Sequence, residues 1–248
     1  MKLIGKKALI VGASSGIGLE TARLFGAEGA VLTVAARSTD QLKAIAKGLG
    51  GGTSVVTADV ADVEACQTIV PAAIAAMNGL DVVVYASGIC EPRLVKDLTI
   101  KQFKQHIDVN LTGNFIVAQA AALYMAEHGG GSIVNISSEL SHMGMGYYVH
   151  YCASKAGVIG LTKALAAEMA PLVRVNSVSP GPVDTPMMDA EIAWFGGSKE
   201  VVDNAKARVP LKRFASPQEV ARAILFLAAD APFATGSTLM LDGGTTAI

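Results

Sequence analysis

Short unbroken apolar runs alternate along the chain with longer stretches in which apolar residues recur at helical spacing. "KALIVG" (7–12) reads as a buried strand, and "AVLTVAA" (30–36), "TSVVTAD" (53–59), "LDVVVYAS" (80–87), "GSIVNISS" (131–138), "VRVNSVSP" (173–180) and "STLMLDGG" (237–244) read as strands. Helical patterns fall at 16–28, 39–48, 63–78, 99–127 and 150–170, and Ser216-Pro217 caps a further helix running to about residue 229. Pro71 marks a start or a kink in the third, and 182–216 reads as irregular with helical parts. Strands apolar on both faces, each followed by a crossover helix, predict an α/β protein: a doubly wound parallel sheet in a single domain over 1–248. In such a sheet ligands bind beyond the carboxyl ends of the strands, at the switch point. The strand-end residues are therefore where the chemistry is sought.

Composition narrows the classes. With 248 residues, 51% of them hydrophobic, the chain can bury one large core. A net charge of −1 lacks the basic footprint of a nucleic-acid binder. Cys66, Cys90 and Cys152 have no CxxC spacing and the four histidines no HExxH pattern, which predicts neither a metal site nor a disulfide framework. A reduced cytoplasm suits such a chain. The opening "MKLIGKKALIVGASSGIG" has too short an apolar run for a signal peptide, and no run approaches the ~20 residues that span a bilayer.

After the first strand comes "GASSGIG", with Gly12, Gly16 and Gly18 in a G-x-x-x-G-x-G pattern. Such glycines permit a tight turn and a close approach of backbone to pyrophosphate at a helix N-terminus; a plain strand-to-helix turn is the other reading. The second strand ends on Ala36 and Arg37, where an NAD site usually places an acid for the ribose 2′-hydroxyl. Arg37 can pair with a 2′-phosphate instead, which points to NADP(H), with NAD(H) as the alternative if Arg37 is a solvated helix-start charge. Asp59, ending the third strand, is placed to meet an adenine amino group or to cap the next helix.

"HYCASK" holds five groups capable of chemistry. Tyr151 and Lys155 stand at i and i+4, on one helix face. A phenol with a pKa of about 10 carries protons poorly at neutral pH, and a nearby ammonium lowers that value. Tyr151 can then exchange a proton with a carbonyl or alcohol oxygen. Cys152 lies about 100° round the helix and reads as packing, as do Ser154 and Cys90, the latter at the pocket mouth. Of Ser137 and Ser138, alternation along a strand lets only one face the crevice. Asn110, three residues after Ile107, is a polar amide on an apolar helix stripe and should hold a backbone group or water.

With "GASSGIG", "YCASK" and "SPGPVDTP" in this order, and Ser138 thirteen residues before Tyr151, the chain resembles the classical short-chain dehydrogenase/reductase family over essentially its whole length. The resemblance implies a Rossmann-type fold of about seven strands, a catalytic set of Asn110, Ser138, Tyr151 and Lys155, and a homotetramer. It selects Ser138 over Ser137. It implies a water bridge from Asn110 to Lys155, and contact of Lys155 with the nicotinamide ribose. It places Ser14, Ser15 and Ile17 with the loop glycines on the dinucleotide, Val60, Ala86 and Gly88 along the adenosine and ribose, and Pro180, Gly181, the Val183 backbone and the Thr185 hydroxyl around the carboxamide. Two departures stand out: Val11 where the family has threonine, and "YASG" (85–88) where it has "NNAG", which puts local bracing of the sheet in doubt.

Substrate-facing candidates are Leu140, His142, Met145, Tyr148, Met187, Met188 and Trp194, mostly apolar or aromatic and without a cation to clamp a phosphate or carboxylate. His150 and His142 read as flank or pocket wall. A mainly apolar ketone or secondary alcohol is expected, beneath a mobile lid at 186–212. The alternatives are an NAD-dependent alcohol or dihydrodiol dehydrogenase and, in another class, a non-catalytic nucleotide-sensing regulator.

Overall fold

The structure, a computed structural model, describes residues 1–49 and 52–247. Its centre is a seven-stranded parallel sheet in the order β3-β2-β1-β4-β5-β6-β7. The strands are β1 (Lys7–Val11), β2 (Val31–Ala36), β3 (Ser54–Thr57), β4 (Val82–Tyr85), β5 (Gly131–Ile136), β6 (Val173–Pro180) and β7 (Thr238–Leu241). Alternate strand residues feed opposite faces. Leu9 and Val11 join the core under α3 (Val63–Met77) and α5 (Gly113–Glu127), with α6 (Val149–Met169) beside them. Ala8 and Ile10 join the core under α1 (Gly16–Ala27), α2 (Thr39–Gly48) and α9 (Pro217–Leu225). The order reverses between β1 and β4, where Val11 pairs with Tyr85, so a crevice opens beyond these two strand ends.

Three expectations change. The long helix expected over 99–127 is α4 (Ile100–Ile107) and α5, joined by a π-helical turn, Asp108–Thr112. Pro71 lies inside α3, not at its start. The helical parts expected within 182–216 are α7 (Pro186–Trp194) and α8 (Lys199–Arg208), neither with a buried residue. The expected strand ends also recede: β4 stops at Tyr85 and β5 at Ile136, leaving Ser87 and Ser138 on the loops that face the crevice. Among the described residues, no helix is long and apolar enough to cross a membrane.

Candidate active site

The turn after β1 is built for close approach. Gly12 has φ +88°, and a Cβ there would stand 2.5 Å from the Ser87 nitrogen; one on Gly18 would stand 2.1 Å from the Gly12 carbonyl oxygen. Only glycine fits, and α1 begins directly over the end of β1. The N-cap of α1, Ser15, makes no side-chain capping bond, whereas Ser38, Asp62, Thr99, Thr185, Ser198 and Ser216 cap α2, α3, α4, α7, α8 and α9. The first-turn N–H groups of α1 thus stay available to an anion. Gln41 ties the turn to α2 by donating to the Ser14 carbonyl (3.0 Å), and Ile17 packs on the core below.

Arg37 is exposed beyond β2, with no ion pair to any described residue. Asp59 is exposed too, its Oδ1 accepting from the Ala61 N–H at 3.0 Å, while Asp62 rather than Asp59 caps α3. Val60 is buried beside it. At the far end, Pro180 and Gly181 turn the chain out of β6, and the Thr185 hydroxyl donates to the Val183 carbonyl (3.2 Å). Ala215 bonds to the groups on either side of Val183, the Pro182 carbonyl and the Asp184 N–H, each at 2.9 Å. The buried Val183 N–H is left without a partner among the described residues. An open helix start, a glycine cradle and an orphan N–H at the opposite end fit an extended dinucleotide lying across the strand ends.

The candidate reacting groups, Ser138, Tyr151 and Lys155, converge between these ends. Ser137 donates to the Lys155 carbonyl (2.8 Å) and so turns away; Ser138 faces the crevice and hydrogen-bonds the Tyr151 phenol. The Lys155 Nζ lies 5.7 Å from the Tyr151 ring centroid and donates to the Ile136 carbonyl at 2.8 Å. Burial pushes the Lys155 ammonium down from 10.5 to about 8. It also drives the Tyr151 phenol well above its ordinary value, with the Ser138 hydrogen bond opposing. The depression of Tyr151 expected from its neighbouring ammonium does not appear in the protein alone, where burial sets the direction of the shift.

Asn110 stands in the π-helical turn and holds backbone as expected. Its amide donates to the Ile89 carbonyl and to Ser154 Oγ, both at 3.0 Å, and its Oδ1 accepts from the Ile89 N–H at 2.8 Å. Ser154 in turn donates to the Tyr151 carbonyl (2.8 Å), so this serine links Asn110 to the tyrosine and is more than packing. A Cβ on Gly88 would lie 3.4 Å from both Asn110 Oδ1 and Lys155 Nζ, placing that glycine, with Ala86 before it, between the two. Tyr85 answers the doubt over the missing asparagines: its hydroxyl donates to the Val109 carbonyl (2.6 Å) and braces β4 against the π turn.

The predicted substrate side divides. Leu140 and Tyr148 are buried, Met145 and Met188 are half-buried, and Met187 and Trp194 are exposed on α7. His142 is exposed, 3.4 Å from Ser179 Oγ. His150 is a clamp: it donates to the Glu91 carbonyl (2.8 Å), His106 accepts from the Glu91 N–H (3.3 Å), and the two rings meet edge to face. Sequence reading missed Glu191, which receives the Tyr148 hydroxyl at 2.5 Å and the Cys90 thiol at 3.8 Å. It lay inside a stretch whose helix was not resolved by pattern, so nothing marked which way its side chain turns.

Comparison with known proteins agrees with this geometry. Residues 12–246 match the family model described as enoyl-(acyl carrier protein) reductase. The chain is 38% identical to the 3-oxoacyl-(acyl-carrier-protein) reductase FabG of Thermotoga maritima, over 98% of this chain and 99% of that one. It is 36% identical to the D-threitol dehydrogenase of Mycolicibacterium smegmatis, over 99% and 94% respectively. A solved structure described as a short chain dehydrogenase/reductase family protein superposes with a TM-score of 0.89 at 39% identity, covering 100% of both chains. With the glycine turn, the parallel sheet and the Ser138-Tyr151-Lys155 convergence in place, the chain belongs to the short-chain dehydrogenase/reductase family of oxidoreductases.

Proposed function

We propose that the chain is an NADP(H)-dependent carbonyl reductase or alcohol dehydrogenase, moving a hydride reversibly between NADP(H) and a ketone or secondary alcohol held mainly by apolar walls. The observation that carries this reading is the meeting of Ser138, Tyr151 and Lys155 at the strand ends, beside a turn that fits a dinucleotide. Ser138 fixes the substrate oxygen by a hydrogen bond. Tyr151 gives that oxygen a proton in reduction and takes it back in oxidation. Lys155 supplies positive charge beneath the phenol and reaches the ribose hydroxyls, and Asn110 holds the loop after β4 against α6. When bound, the nicotinamide supplies or accepts the hydride. The half-buried Met188 and buried Leu140 support an adaptable apolar wall. Relatives named as a reductase and as a dehydrogenase suit either direction. A nucleotide-sensing regulator would not need the complete set.

Arg37, unpaired beyond a strand end that lacks an acid, supports the 2′-phosphate. A charge-assisted bond of about 1.5–3 kcal/mol favours NADPH over NADH roughly ten- to a hundredfold. The function includes a lid at 186–212, and a homotetramer is supported by exposed Phe115 and Leu123 on α5. The free cysteines suit the reducing cytoplasm. The test is kcat/KM over a panel of ketones and alcohols with both cofactors. NADPH preference that collapses in Arg37→Ala is expected; equal use, or preference for NADH, overturns the cofactor assignment. Tyr151→Phe should lower kcat by about a hundredfold or more, and activity surviving within about tenfold overturns its proton-transfer role.

A further inference from the structure

The substrate side of the site carries a carboxyl group that the proposed chemistry does not use. Glu191 stands on α7, one turn beyond Met187, whose Cε lies within 4.0 Å of where a Cβ on Gly88 would stand, beside Lys155. Its carboxyl is held from two other elements. Tyr148, three residues before Tyr151, donates to Oε1 at 2.5 Å, and Cys90, two residues after Gly88, points its thiol at Oε2 from 3.8 Å. The loop after β4, the start of α6 and the lid helix thus meet at this one group. Its charge is felt at Tyr151, where it opposes ionisation of the phenol.

Among the described residues, the partners of the half-buried Glu191 leave part of its acceptor capacity open. A carboxylate offers about four acceptor sites. Here one strong donor serves Oε1, and Oε2 meets only a thiol, a weak donor at long range. Burial raises the acid above its ordinary value, while the Tyr148 and Cys90 bonds pull it down. A wholly apolar substrate would deepen that desolvation and bring no partner. A carboxylate or phosphate at this corner would be repelled.

From this corner we infer that Glu191 determines substrate choice by accepting a hydrogen bond from a second hydroxyl of the substrate, so that the preferred compounds are hydroxy ketones and the corresponding diols. The inference rests on the carbonyl-reductase reading above and sharpens its substrate class: apolar walls with one acceptor corner formed by Glu191, Tyr148 and Cys90. Glu191 is a specificity-determining residue; the proton still moves at Tyr151.

The test compares cyclohexanone with its 2-, 3- and 4-hydroxy derivatives, and with 3-aminocyclohexanone, under saturating reduced cofactor. An acceptor site on Glu191 left open by the plain ketone predicts that at least one hydroxyketone exceeds it in kcat/KM by about tenfold or more. In Glu191→Gln that ratio falls several-fold, and in Glu191→Ala it approaches one. A wild-type ratio near one overturns the inference even if neither variant folds, because the wild-type enzyme alone decides it. A ratio unchanged in a folded Glu191→Ala overturns it as well. The aminoketone outrunning every hydroxyketone assigns the corner to cations and overturns the hydroxyl. Turnover of cyclohexanone without discrimination defeats this inference alone; no turnover of any ketone with either cofactor defeats the carbonyl-reductase reading and this inference with it.

Discussion

Glu139 follows Ser138 directly and is 6% exposed, with an Oε2 that meets no hydrogen-bond partner among the described residues. Burial raises its carboxyl from 4.5 to about 7; a Thr245 hydrogen bond opposes this, and the charges of Asp242 and Glu191 add to it. Between those two values the folded chain holds a proton that the unfolded chain has lost. Stability is therefore fully present below 4.5 and declines as pH rises through about 7. Glu139→Gln removes the ionisation. The two proteins should melt together near the ordinary carboxyl pKa. At about pH 8 the variant should melt higher by roughly 2–8 °C, corresponding to about 1–2 kcal/mol once solvent screening is discounted. Differential scanning calorimetry across this range checks the sign, and a gap that does not widen with pH counts against it. Nothing in the sequence marked Glu139 as buried, because a glutamate after a serine pair reads as solvated. Ser138, Tyr151 and Lys155 were legible as candidates because the family resemblance fixes residue types at fixed spacing. Glu191 was not, because its role comes from a contact across the fold with Tyr148 and Cys90, separated from it by 43 and 101 residues.

Strands β1 to β7 and most helices were visible as runs and periods: burial on both faces leaves an apolar run in the central strands, and the edge strands β3 and β7, with no buried residue, still read as short β-branched and apolar runs. The π turn was not. The turn with its extra residue spans only Asp108–Thr112, five residues, too short a window to break the helical pattern, and the long helix still reads as continuous. What shapes it is tertiary: the Tyr85 hydroxyl on the Val109 carbonyl and the tight seat of Gly113, where a Cβ would stand 2.6 Å from the Val60 carbonyl oxygen and 2.7 Å from the Tyr85 hydroxyl. Tyr85→Phe removes a bond of about 0.5–1.5 kcal/mol. Gly113→Ala overpacks the seat at a cost of about 1–3 kcal/mol. The two share one clash, so Gly113→Ala should cost less in the Tyr85→Phe background than in the wild type. Urea unfolding of both single variants and the double variant measures this coupling. Strict additivity would show that Tyr85 and Gly113 do not meet as described.

At the scale of the molecule, the sheet carries the glycine turn, Ser138 and α6, while α7 lies beside the crevice through Met187 and Glu191, and neither α7 nor α8 buries a residue of its own. Besides the Glu191–Tyr148 bond, α7 is held by rings. Tyr147, in the left-handed region at φ +74°, meets Trp194 and Phe195 at centroid distances of 5.6 and 5.4 Å, and these two pack on each other at 4.7 Å. A bulky residue at positive φ is costly and persists only where its surroundings hold it; here the Arg93 N–H holds the Tyr147 carbonyl at 2.9 Å. If α7 serves as the proposed lid, its part-buried hydrogen bond and exposed ring cluster should let it open more readily than the core. Trp194 is the chain's single tryptophan and is 41% exposed, so its emission reports the lid alone. Adding a ketone to the cofactor-saturated protein should shift that emission to shorter wavelength as the ring is covered. Tyr147→Ala, which removes the outer fastening, should redden the emission of the free protein and raise KM more than it lowers kcat. Emission that stays fixed through saturation with both ligands would mean that α7 does not move, and that substrate enters past a rigid wall.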